Sequence, residues 1–139
     1  MTALQEASRG AELADACGFG LLAIDFRVLW ARCLVAAGDV ARADRLIDEA
    51  IERATDPRCD YRWGAADAWH QRALCRRGTD PITARLAAQE ALRLRDALRH
   101  PDVAASSVLL DELSAPPRDA PSDTDRQDAV TDPGELVPS

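Results

Sequence analysis

The chain contains no lysine and no asparagine, and all 17 of its basic residues are arginine. These absences exclude any chemistry that depends on a lysine nucleophile or an asparagine amide. They also carry the codon signature of a GC-rich genome. Aromatic residues make up only 4% of the 139 positions, too few to fill the interior of a domain this long. Alanine and leucine must supply that interior. Small side chains let helices approach closely, and alanine is the strongest helix former. No apolar run approaches the ~18 residues needed to cross a membrane. The opening stretch MTALQEASRGAELADACGFG has acids early and no continuous apolar centre, unlike a secretory signal. A cytoplasmic location follows as the expectation, and with it four reduced cysteines rather than disulfides.

Positive charge is also in short supply. The net charge is −7, and it is uneven: residues 1–113 hold 15 Arg against 18 Asp and Glu, whereas residues 114–139 hold 2 against 6. Neither part has the basic excess that a phosphate backbone requires, so nucleic acid is not an expected partner.

What is present is a repeat. Residues 59–75 read CDYRWGAADAWHQRALC, and residues 17–33 read CGFGLLAIDFRVLWARC. An offset of 42 places Cys17 on Cys59, Phe19 on Tyr61, Ala23 on Ala65, Asp25 on Asp67, Ala31 on Ala73 and Cys33 on Cys75. After a one-residue deletion the offset becomes 41, and Asp39, Ala43, Glu49 and Ala50 fall on Asp80, Ala84, Glu90 and Ala91. A fixed period in this range marks stacked structural units. Each unit reads as a helical hairpin. Phe19, Leu22, Ala23, Phe26, Trp30, Cys33, Leu34 and Ala37 form one apolar stripe at helical spacing. Gly38 then stops the helix and Asp39 caps the next one, whose buried side runs from Val40 through Ala43, Leu46, Ile47 and Ala50. Helices are predicted at about 2–16, 19–37, 40–55, 61–77, 82–99 and 102–113, with no strand. Residues 114–139, with five prolines and six acids, cannot form a core and are expected to be a disordered acidic tail outside the 1–113 domain.

The pattern resembles the tetratricopeptide repeat. Ala31 and Ala73 match its small first-helix position, Trp69 its early tryptophan, and Gly38 its turn glycine. Ala43/Ala84 and Ala50/Ala91 match its second-helix alanines, and Pro81 enters the second helix as in many members. The segments YRWGAADAWH and RHPDVAAS, and a period of 41–42, are similar to the longer repeats of kinesin light chains and of bacterial multidomain regulators. Arg27 and Arg72 depart from the pattern, standing near positions that are usually apolar. The resemblance implies a right-handed α-solenoid of antiparallel helix pairs, with about two full repeats and partial repeats at each end. It implies a non-catalytic scaffold that binds a protein or peptide. The alternatives are self-association and a regulatory fragment of a larger signalling protein.

The cysteines are 16, 26 and 16 residues apart, which is no zinc spacing, and Cys33 and Cys75 read as small core residues. Asp67, His70 and Cys75 do not form a nucleophile, base and orienter set, because Cys75 lies five residues beyond His70 on another helical face. No catalytic residue, metal site or cofactor is expected. Asp67 and His70 read as a surface pair. In such repeats the first helices line the concave face, so the expected partner-binding residues are Asp25, Val28, Arg32, Asp67, His70 and Arg77, with Val35 and Leu74 beside them. The clamp that some family members use for a terminal carboxylate needs lysine and asparagine, and is excluded here. At the N-terminal end, Leu4, Ala7 and Ala11 form a stripe expected to lie open, as a homodimer interface or the cut edge of a longer array.

Overall fold

The computed structural model describes residues 1–116. Within them the chain is all-α: α1 (Ala3–Cys17), α2 (Gly20–Ala36), α3 (Val40–Thr55), α4 (Arg62–Arg76), α5 (Pro81–Ala97) and α6 (Val103–Ser114). No strand occurs among the described residues. The expected tail lies outside them beyond Pro116.

Local chemistry sets the boundaries. Thr2 and Gln5 form a reciprocal capping box at the start of α1, at 3.2 and 2.9 Å. Gly18 and Gly38 take the left-handed conformation, at φ 76° and 87°, that ends α1 and α2. Asp39 and Asp80 accept from the backbone N–H groups of Arg42 and Thr83 and so cap α3 and α5, with Pro81 in the first turn of α5. At the corresponding break after α3 and again after α5 the left-handed residue is not glycine but Asp60 (φ 45°) and Arg99 (φ 53°).

Each helix packs on the next, and α2 also packs on α4. The six alanines paired by the sequence offset, Ala31/Ala73, Ala43/Ala84 and Ala50/Ala91, are each 0% exposed. Around them sit Ile24, Leu34, Leu46 and Ile47, with Leu109 closing the C-terminal end against Ala73, Ala87 and Ala88. Arg27 is buried on the α2 stripe. Its guanidinium reaches Asp15 of α1 at 2.5 Å and Glu49 of α3 at 3.1 Å, and Arg53 also meets Asp15 at 2.8 Å. Arg72 pairs with Asp48, and Arg76 with Asp44, across α3 and α4. The two arginines that departed from the repeat pattern thus lie against the helix interface and reach carboxylates that keep contact with solvent, Glu49 at 53% and Asp48 at 61% exposed.

Two expectations are corrected. The α1 stripe is not open: Ala7 is 0% and Ala11 1% exposed, and Leu4 is partly buried against the main core. α2 covers this stripe, and the outer side of α1 carries Gln5, Glu6, Arg9 and Glu12. Ala7 and Ala11 are therefore not available to a second copy. Of the two core cysteines only Cys75 is fully buried, and Cys33 is half-buried.

Candidate functional site

Two turns of α2 and three of α4 face one another across a groove of about 290 Å³. Asp25, Val28, Leu29 and Arg32 come from α2, and Tyr61, Trp63, Asp67 and Gln71 from the start and body of α4. Arg95 of α5 and Asp102, just before α6, close one side. The α2 residues share a face because they recur at three- and four-residue steps. Trp63, Asp67 and Gln71 do so on α4.

The charges in the groove are unequal in their commitments. Arg95, 5% exposed, donates to Asp67 at 2.9 Å, to the Ser106 hydroxyl at 3.0 Å and to the Asp102 carbonyl at 3.2 Å. Asp67 also lies 3.3 Å from Nε2 of the buried His100. The Asp102 backbone N–H donates to His100 Nδ1 at 2.9 Å, which leaves the proton of a neutral ring on Nε2, toward Asp67. The His100 ring packs on Trp63 with centroids 4.1 Å apart. Asp25, by contrast, receives only the Tyr61 hydroxyl, at 3.0 and 3.2 Å. Partial desolvation raises the Asp25 pKa, the Tyr61 bond opposes that rise, and the Asp67 charge adds to it. Burial first, and then the same contact, push Tyr61 up to about 12. Among the described residues neither Asp25 nor Arg32 has an opposite charge within ion-pair distance.

Asp25, Val28, Arg32 and Asp67 thus come together on one cavity, whereas His70 and Arg77 do not line it. Asp67 and His70 are also not the surface pair read from the sequence. Asp67 is held by Arg95 and lies 3.3 Å from His100 Nε2, which makes no hydrogen bond among the described residues, and His70 Nδ1 lies 3.0 Å from Ser106 Oγ. Ser106 accepts from Arg95 and is free to donate to His70. Burial first, and then the Arg95 charge, lower the His70 pKa to about 4. Ser106 is 0% exposed, so this serine–histidine pair cannot meet a substrate. Cys75 is equally withdrawn, its thiol pushed up to about 11 by burial. Among the described residues no group of three or more His, Cys, Asp or Glu could hold a metal.

Sequence reasoning missed Trp63, Gln71, Arg95, His100 and Ser106. Only Trp63 carried a local signal, standing one helical turn before Asp67. A second cavity of about 410 Å³ lies between α3 and α5 over Trp69 and Leu94. Its charges pair with each other, Asp60 with Arg62 and Glu90 with Arg93, which leaves it without free polar groups of the kind the α2–α4 groove offers. No helix among the described residues is long and apolar enough to cross a membrane. No known family, curated protein or solved structure matches the chain.

Proposed function

We propose that this chain is a non-catalytic interaction module, a right-handed α-solenoid of the tetratricopeptide type whose α2–α4 groove seats a segment of a partner protein. The neighbour-to-neighbour order of packing, with α2 reaching α4, and the coincident burial of the offset alanines support the repeat reading. The groove reading rests on one observation. Val28, Leu29 and Trp63 form an apolar strip flanked by Asp25 and Arg32, whose charges have no opposite partner among the described residues. Apolar anchors beside unpaired charges are what a peptide needs for affinity and register.

Peptides selected from a random phage-displayed library against the full chain test this. They are expected to lose at least tenfold in affinity on Leu29→Glu, a change at a 43% exposed side chain that leaves the fold intact. Arg85→Glu, on an exposed position of α5, should leave them unaffected. Selected peptides that respond equally to both variants, or to neither, would show that the groove is not the binding surface.

A further inference from the structure

The groove's unmet valences specify a ligand more closely than its shape does. Asp25 presents a carboxylate with a single donor among the described residues, Tyr61, and one guanidinium of the wall, that of Arg95, is already held by Asp67, Ser106 and the Asp102 carbonyl. Gln71 Oε1, in the same wall, is buried and has no donor among the described residues. Arg95 Nε, on a side chain more than nine-tenths buried in that wall, has no acceptor. Trp63 adds an indole that is 42% exposed. Counting the lining, three carboxylates (Asp25, Asp67, Asp102) face two guanidiniums (Arg32, Arg95), so the groove is one negative charge in excess.

A guanidinium meets the demands of Asp25, Gln71 and Trp63, though not that of Arg95 Nε, which needs an acceptor. It is flat, stacks on an indole and carries five donors in a fixed fork, enough for a carboxylate and an amide oxygen at once. A lysine ammonium is a strongly hydrated point charge and satisfies fewer of them. The peptide backbone that carries the arginine brings carbonyl oxygens to the Arg95 side of the wall. Arg32 stands seven residues after Asp25 on α2, roughly 10 Å along the axis at 1.5 Å per residue. An extended chain covers that distance in about three residues. Between the two charges lie Val28 and Leu29, which suit an apolar side chain.

We propose that the groove receives an extended segment of a partner protein, seating one of its arginines in the pocket lined by Asp25, Gln71 and Trp63 while an acidic residue three positions away meets Arg32. This rests on the groove reading above and adds the chemistry of the occupant.

The library-selected peptides separate the two claims. They are expected to share an arginine and an acid three positions apart. They should also shift the Trp63 indole resonance in titrations of the isotope-labelled full chain. Replacing the peptide arginine with citrulline, which leaves the protein untouched, should weaken binding at least tenfold. Asp25→Asn should do the same, and the two changes together should cost no more than either alone. Arg32→Glu should prefer the peptide whose acid is exchanged for arginine. If peptides lost on Leu29→Glu lack arginine, or are indifferent to citrulline, the arginine pocket is wrong and the groove reading stands. If no peptide is sensitive to Leu29→Glu, the groove reading has failed first.

Discussion

Gly10 sits in the middle of α1, where alanine would ordinarily be better by about 1 kcal/mol. The structure reverses that expectation. A Cβ built on Gly10 lies 2.5 Å from both Cδ1 and Cε1 of Phe26 and 2.8 Å from its Cζ. Carbon atoms in contact rest at about 3.5–4.0 Å, so the ring must retreat by about 1 Å. Phe26 is half-buried and can swing only by giving up contact with α1. Overpacking of this kind costs about 1–3 kcal/mol. Set against the propensity gain, Gly10→Ala is expected to destabilise by about 1 kcal/mol, a fall of roughly 3–6 °C in the thermal midpoint for a domain of this size. The assay is thermal unfolding followed by circular dichroism, in a double-mutant cycle with Phe26→Ala. With the ring gone, Gly10→Ala should raise the midpoint, because only the propensity effect remains. Gly20→Ala, where nothing lies within 4 Å of the added carbon, should be neutral or stabilising. A midpoint that rises on Gly10→Ala in the parent chain, or an identical effect in both backgrounds, would refute the close approach of α1 and α2.

Arg27→Ala should cost about 1–3 kcal/mol in denaturant unfolding, since it leaves an interior gap and takes the guanidinium from Glu49, whereas Asp15 keeps Arg53, and Arg27→Met should cost less. The hydrogen bond from Arg27 and then that from Arg53 hold Asp15 down at about 2, so its contribution is present above the ordinary carboxylate pKa and lost as pH falls toward 2. Asp15→Asn should accordingly flatten acid melting in that window. His70 is held neutral, at about 4, whereas an unfolded chain protonates it near 6.5. Stability should therefore decline from pH 6.5 down to 4, and His70→Gln should remove that part of the slope. Cys75→Ala should cost on the order of 1 kcal/mol. A thiol reagent at pH 8 should label exposed Cys17 before Cys75, whose thiol is raised to about 11, and the reverse order would mean that Cys75 is not buried.

The helices and their stripes were legible because alanine is informative when it repeats. At fixed offsets it marks where backbones meet, and all six offset alanines are fully buried. The α2 half of the groove was legible for the same reason, since Asp25, Val28 and Arg32 are counted from Ala31. The other wall was not. Arg95 meets Asp67 across 28 residues and His70 meets Ser106 across 36, and neither arginine nor histidine announces burial through local periodicity. Arg27 and Arg72 offered a usable hint, arginines near apolar positions with acids on a neighbouring helix. The α1 stripe reads as open because nothing in its own residues says which helix covers it. α2 itself fills that role, and Gly10 shows how closely, with the Phe26 ring lying where a side chain would stand.

An alanine-rich interface is close but shallow. A slip of one turn, about 5.4 Å, exchanges one small residue for another and changes little in buried area. The arginine pairs supply the missing distinction. One set ties α1, α2 and α3 through Asp15, Arg27 and Glu49, another ties α3 to α4 through Asp44, Asp48, Arg72 and Arg76, and a third ties α4, α5 and α6 through Asp67, Arg95 and Ser106. A slipped register would leave the buried guanidiniums of Arg27 and Arg95 without their carboxylates, at several kcal/mol each, and would break the more exposed α3–α4 pairs at about 1 kcal/mol or less apiece. These contacts therefore fix where Trp63 and Gln71 stand relative to Asp25, which is the geometry the groove depends on. Replacing Arg72 and Arg76 together with methionine tests this as a hypothesis about register rather than stability. Methionine keeps apolar volume, so the unfolding free energy should change by less than about 2 kcal/mol. The Trp63 indole resonance should nevertheless broaden or split, and affinity for groove-selected peptides should fall. A double variant that keeps a single sharp Trp63 resonance and full affinity would show that the alanine packing sets the register by itself.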